Sequence, residues 1–116
     1  MKKQDTDRFI DHWDKMAEHI HDNFIKKGFW DDGKNRNDGE LIALMHSELS
    51  EALEGLRNGN PKDDMIDLDS ASVELADVVI RIMDFSKGKG LDIGKAIVEK
   101  MRYNLSRPHK HGGKKF

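Results

Sequence analysis

The chain has 116 residues, enough for one domain with a single core and not for two. Its 20 Lys and Arg stand against 22 Asp and Glu, a formal charge of −2, which argues against a general nucleic-acid binder because such domains carry a basic excess. The absence of cysteine excludes disulfides, thiolate catalysis and a Cys-type zinc site, and no apolar run, Val78-Val79-Ile80 included, approaches the roughly 20 residues of a membrane span, so a soluble, cytoplasmic protein without a membrane partner is expected.

The pattern is helical nearly throughout. Thr6 or Asp7 is placed to cap a first helix whose apolar residues Phe9, Ile10, Trp13, Met16, Ala17, Ile20 and Phe24 recur at helical spacing, with Gly28 as its stop. Residues 29–37 read as a polar, Gly-containing loop. Asp38 is placed to cap a second helix that runs to about residue 57, where Asn58-Gly59-Asn60-Pro61 supplies turn chemistry. An acidic connector, 62–69, leads to a third helix over 70–86, which Gly88-Lys89-Gly90 breaks. A fourth helix covers 92–105, and Pro108 prevents its continuation. No strand alternation is present, and the predicted fold is all-α, a four-helix bundle.

The third helix carries Val73, Leu75, Ala76, Val78, Val79, Ile80, Ile82, Met83 and Phe85 in almost every direction around its axis. A helix on the outside of a small bundle shows one apolar stripe, so burial on several sides is expected. Either the other three helices surround it or a second subunit covers it; the small size of the chain favours an oligomer formed through the helices.

Two carboxylate pairs stand out, Glu48-Leu-Ser-Glu51 in the second helix and Glu74-Leu-Ala-Asp77 in the third. A three-residue spacing puts both members of a pair on one helical face, a turn apart. At roughly 100° per residue, Glu48 falls among Leu41, Leu44, Met45, Ala52 and Leu56, inside the apolar stripe, with Glu51 on its border. Glu74 falls among Ala71, Val78, Ile82 and Phe85, with Asp77 displaced to the same side as Glu51. In a chain that is 36% charged, a lone acidic pair is usually a solvated face, and Glu51-Ala-Leu-Glu54 reads that way. Two inward forks on helices of similar pattern are harder to dismiss. Like charges about 4 Å apart repel by up to ~4 kcal/mol at an effective dielectric near 20, while a domain is stable by only about 5–15 kcal/mol. Four clustered carboxylates therefore call for a cation or for protons.

These residues resemble the MazG-type all-α nucleoside triphosphate pyrophosphohydrolases. The likeness lies in Glu48-xx-Glu51 and, after 22 intervening residues, Glu74-xx-Asp77, in the settings His46-Ser-Glu-Leu-Ser-Glu-Ala-Leu-Glu54 and Glu74-Leu-Ala-Asp-Val-Val-Ile-Arg81. The run Lys100-Met-Arg-Tyr-Asn104-Leu-Ser-Arg107-Pro-His-Lys-His111-Gly also resembles a segment of the short, single-domain members. The resemblance covers roughly residues 28 to 116. It implies a helical bundle that forms a homodimer or homotetramer, binds Mg2+ (with Mn2+ able to substitute) through the four carboxylates, and hydrolyses a (d)NTP to the monophosphate and pyrophosphate. Glu51, Glu74 and Asp77 would be primary ligands, and Glu48 a ligand or the carboxylate that orients the attacking water. The base is not readable; a purine deoxynucleotide such as dGTP is the expectation carried with the family.

Other residues admit two readings each. Arg81 could contact a phosphate or pair with Asp77 four residues before it. Lys100, Asn104 and Arg107 share a face of the fourth helix and match the family's phosphate and sugar contacts, yet a basic face near a helix C-terminus also complements the dipole. Trp30 could stack on a base or plug the core. The basic tail over 107–116 carries no acid and is expected to fold over a bound triphosphate, with Arg107 and Lys114 as phosphate contacts. His12, His19 and His21 read as surface residues, His109 and His111 as anion-attracting members of the tail, and Gly112-Gly113 is too short for a phosphate loop. Against the enzyme stand a catalytically inactive helical interaction or regulatory module of the same fold, which retention of all four carboxylates disfavours, and a nucleic-acid binder using the tail, which the acidic remainder of the chain opposes.

Overall fold

Each helix begins where a side chain or the local backbone accommodates its first N–H groups. In the computed structural model, which describes residues 1–31 and 36–108, four helices follow one another: α1 (Lys3–Lys26), α2 (Asp38–Arg57), α3 (Ser70–Lys89) and α4 (Ile93–Ser106). No strand occurs among the described residues, and no described helix is long and apolar enough to cross a membrane.

The starts depart from the sequence reading in two places. α1 opens at Lys3 without a side-chain cap; Thr6 lies inside its first turn, buried, with its hydroxyl donating to the Lys3 carbonyl (2.8 Å). α2 is capped by Asn37, one residue before Asp38, through an Oδ1 that accepts from the Glu40 N–H (2.9 Å). The start of α3 is the most heavily braced. Asp69 accepts from the backbone N–H (2.8 Å) and the hydroxyl (2.7 Å) of Ser72, and Asn60 donates to it (2.9 Å) while accepting from the Ala71 N–H (2.8 Å). The Ser72 hydroxyl, then the Ser72 N–H and Asn60, hold the Asp69 carboxyl down at about 2. Asn60 reaches this position with a left-handed backbone, φ 51°, and an isolated antiparallel bridge between Lys62 and Asp69 closes the connector.

α3 does not stop at residue 86. It runs through Gly88 to Lys89 and ends at Gly90, whose φ of 72° provides the left-handed cap. Gly88 is not a break, because the helix needs a residue without a side chain there: a Cβ at that position would overlap the six-membered ring of Trp30.

α3 is the central element. α2 packs along one side of it and α1 on another, while α4 folds back onto α1. The buried apolar residues are Leu41, Met45 and Ala52 of α2, Ala71, Val78 and Met83 of α3, Ala17 of α1, Val98 of α4, and Trp30 in the loop. The expectation that α3 is buried all round is not met within one protomer. Leu75 and Val79 remain 46% and 40% exposed, and Leu49, Leu53 and Leu56 of α2 are exposed as well.

A buried acid ties His21, Trp30 and Arg36 to the C-terminal half of α3. Asp84 Oδ1 accepts from the Trp30 indole N–H and from His21 Nδ1, both at 2.8 Å, and Arg36 approaches Oδ2 at 3.5 Å. Lys89 adds a second tie, donating to the Arg36 carbonyl (2.8 Å) and pairing with Asp38 (2.9 Å). His21 is thus a half-buried partner of Asp84, not the surface residue its sequence position suggested.

Gly88→Ala tests the Trp30 contact. Overpacking of about 1–3 kcal/mol should outweigh the helix-propensity gain of about 1 kcal/mol, so the thermal midpoint followed by circular dichroism should fall. An unchanged or raised midpoint would mean that the indole moves aside without loss.

Candidate metal centre

The packing of α2 against α3 brings the two forks together. Glu48, Glu74 and Asp77 each present a carboxylate oxygen within 4.8 Å of the others, and all three side chains are half-buried. Glu51, on the outer border of the stripe, is exposed and is not a member of this trio. It is still close enough to act on it.

The electrostatics follow from this crowding. The Glu74 carboxyl is pushed up to about 7, first by the Glu48 carboxylate that faces it within hydrogen-bonding reach, then by burial, then by Glu51. Asp77 is also raised, by burial first and then by Glu48, with Arg81 pulling the other way and Glu51 and Asp63 adding to the rise. Near neutral pH a proton shared among these groups relieves part of the repulsion. A divalent cation would relieve more, and three hard oxygen donors converging from two rigid helices suit Mg2+ or Mn2+. The residues therefore fit the ion that their spacing called for.

Within the protein Arg81 pairs with Glu48 rather than with Asp77. Its Nε (3.3 Å) and Nη2 (3.1 Å) both donate to Glu48 Oε1 across the α2–α3 contact. The helix backbone makes this possible: Asp77, Arg81 and Asp84 lie within about 40° of one line along α3, so a long side chain between two acids can lean toward the neighbouring helix. Asp63, which sequence reasoning passed over, comes from the connector. Its Oδ2 accepts from the Met65 and Ile66 N–H groups, both at 2.9 Å, which fixes a further negative charge where it acts on Asp77.

The remaining candidates are placed elsewhere. The indole of Trp30 is buried, with its N–H on Asp84, Arg36 over the ring at 4.9 Å and His21 edge-on at 5.0 Å, so the plug reading replaces base stacking. Lys100 and Asn104 lie on α4, and Arg107 caps its end; the main contact of that helix is with α1, not with the carboxylate-bearing α2 and α3. Lys100 and Arg107 instead flank the Tyr103 ring at 4.6 and 5.7 Å. Lys114, His109, His111, Gly112 and Gly113 lie outside the described residues. Asp84 and Arg36 were missed altogether. A signal for Asp84 existed: it is the acid seven residues after Asp77, two turns along the same face of the helix and between the apolar Met83 and Phe85.

Comparison of the chain with protein-family models, with curated proteins and with solved structures finds no match.

The raised carboxyls set the sign of the pH dependence. Unfolded, Glu74 ionises near its ordinary 4.5, whereas folded it holds its proton to about 7. Between those values the folded state binds a proton that the unfolded state has released, so stability falls as pH rises from about 4.5 through 7. Metal-free thermal midpoints should show this decline, and Glu74→Gln should flatten it; an equally steep decline in the variant would remove Glu74 as its source.

Proposed function

We propose that the protein is a metal-dependent nucleoside triphosphate pyrophosphohydrolase of the MazG type, hydrolysing a (d)NTP to the monophosphate and pyrophosphate. The observation that carries the reading is the convergence of Glu48, Glu74 and Asp77 from two packed helices, with Glu74 raised to about 7. An acidic cluster of this kind repels a triphosphate unless cations intervene. Mg2+ or Mn2+ held there would neutralise phosphate charge and lower the pKa of a water molecule.

The protein's own groups supply the rest. Glu74 and Asp77 on α3 are the inner ligands, Glu51 is an outer one at the exposed edge, and Glu48 holds a cation or orients the attacking water. The Arg81 guanidinium holds one oxygen of Glu48 and leaves the other for that role. Water adds across the α–β phosphoanhydride, and the leaving pyrophosphate takes the bonding electron pair; no nucleophilic side chain is needed.

The reading includes a homodimer or homotetramer. The exposed Leu49, Leu53 and Leu56 on α2 and Leu75 and Val79 on α3 supply apolar surface for a subunit contact. Such a contact would also allow Lys100, Asn104 and Arg107 of a neighbouring copy to approach the carboxylates.

A panel of canonical and modified (d)NTPs with Mg2+, with monophosphate and pyrophosphate both quantified, tests the activity. Glu74→Gln and Asp77→Asn should each lower turnover about a hundredfold or more, the consequence of losing about 3 kcal/mol of charge stabilisation, with an unchanged helical spectrum. Full activity in both variants, or no product from any triphosphate, would refute the assignment. Light scattering should report a mass above the 13.3 kDa of one chain; a monomer at micromolar concentration would refute the assembly.

A further inference from the structure

Beyond the carboxylates, the same side of α3 continues with Arg81 and then Asp84, seven residues or about 10 Å past Asp77. A cavity of about 170 Å3 opens there, between the end of α1, the loop, α2 and α3. Phe24, Phe29 and Phe85 provide aromatic walls, and Arg36, Arg81 and Asp84 the polar groups. Arg81 is shared with the metal centre, because its guanidinium also holds Glu48. The cavity is therefore the next compartment along from the carboxylates. It is smaller than the roughly 300–1,000 Å3 of sites that enclose a whole drug-sized ligand, so it suits one flat ring system and not a complete nucleotide.

The polar groups narrow the choice of ring. Asp84 Oδ1 already accepts from Trp30 and His21, whereas among the described residues Oδ2 has only the 3.5 Å approach of Arg36. A carboxylate offers about four lone-pair sites, so Oδ2 can accept further donors. A ligand here meets a fixed carboxylate together with the Arg36 and Arg81 side chains. We propose that this cavity is the nucleobase subsite of the hydrolase site, and that it selects guanine. Guanine is the base with two neighbouring donors, N1–H and N2–H2, for one carboxylate, while its O6 and N7 suit an arginine. Adenine and cytosine set a ring-nitrogen lone pair beside their amino group, against Asp84. Thymine and uracil offer a single N–H between two carbonyls, which also face the carboxylate. Phe24, Phe29 and Phe85 give any base an apolar surface, and stacking on such rings is indifferent to base identity. Discrimination therefore falls to Asp84 and the two arginines.

As part of that site the subsite rests on the hydrolase reading, and the two are separated by titrating deoxynucleosides without metal. With the phenylalanine rings 13C-labelled, deoxyguanosine should shift the resonances of Phe24, Phe29 and Phe85 and bind at least tenfold more tightly than deoxyadenosine, deoxycytidine or thymidine. Leu44→Phe, which fills the cavity from α2, should weaken deoxyguanosine binding at least tenfold while keeping the Mg2+-induced rise in thermal midpoint. Asp84→Asn, which exchanges one acceptor of the pair for a donor, should reduce the preference for guanine. The wild-type titration decides even if a variant does not fold. No shift at these rings with any nucleoside at millimolar concentration would overturn the subsite even if triphosphates are hydrolysed, and equal binding of all four would overturn the guanine assignment. Deoxyguanosine binding in a protein that hydrolyses no triphosphate would uphold the cavity and overturn the hydrolase reading.

Discussion

Close packing of like charges between α2 and α3 is the constraint around which the other features are arranged. The helices meet along apolar residues such as Leu41, Met45, Ala52, Ala71 and Val78, and that contact forces Glu48, Glu74 and Asp77 within 4.8 Å of one another. The repulsion is softened by partial exposure to water, by the Arg81 guanidinium on Glu48, and by a proton that Glu74 keeps up to about 7. Helices with interchangeable surface positions would rotate such charges outward. Here the stripe that buries α2 against α3 also contains Glu48 and Glu74, so relieving the repulsion by rotation would expose the core.

The other half of α3 follows the opposite strategy, with one buried anion surrounded by donors. Asp84 gathers Trp30, His21 and Arg36, and Gly88 makes room for the indole one turn further on. Removing Asp84 would leave the buried Trp30 indole N–H and the half-buried His21 ring without their acceptor, which costs more than the loss of an ordinary hydrogen bond. Trp30 and Arg36 are thereby held against α3, and the cavity beside Arg81 keeps its walls. The acids of α3 thus divide along the helix: Glu74 and Asp77 are crowded by like charges, and Asp84 is neutralised by neighbours.

The protomer also carries a mismatch between its sequence and its own surface. α3 is apolar in almost every direction, yet Leu75 and Val79 stay exposed beside exposed leucines on α2. Three helices of 24, 20 and 14 residues do not surround a central one completely. The proposed oligomer is the arrangement that would cover this surface, and it would give the basic residues of α4 a route to the carboxylates.

Periodicity made the helices legible, because 3.6-residue spacing and the turn residues between segments are local properties of the chain, whereas the sequence placed the caps of α1 and α2 at the wrong residues. The inward direction of Glu48 and Glu74 was legible for the same reason: an acid that falls inside an apolar stripe has to follow the stripe. Local chemistry misled where tertiary contact outweighed it, as at Gly88, which reads as a break and is a space for Trp30, and at His21, which reads as surface and binds Asp84. Arg81 had Asp77 as a partner on its own helix and pairs instead with Glu48 of α2. Sequence by itself determined the all-helical pattern and the side of each helix that carries charge, since both depend on spacing along one chain segment. Which of those charges meet, which are neutralised by distant partners, and that Glu51 stands at the rim while Arg81 crosses to α2 were decided only by tertiary structure, because they depend on how separate helices pack.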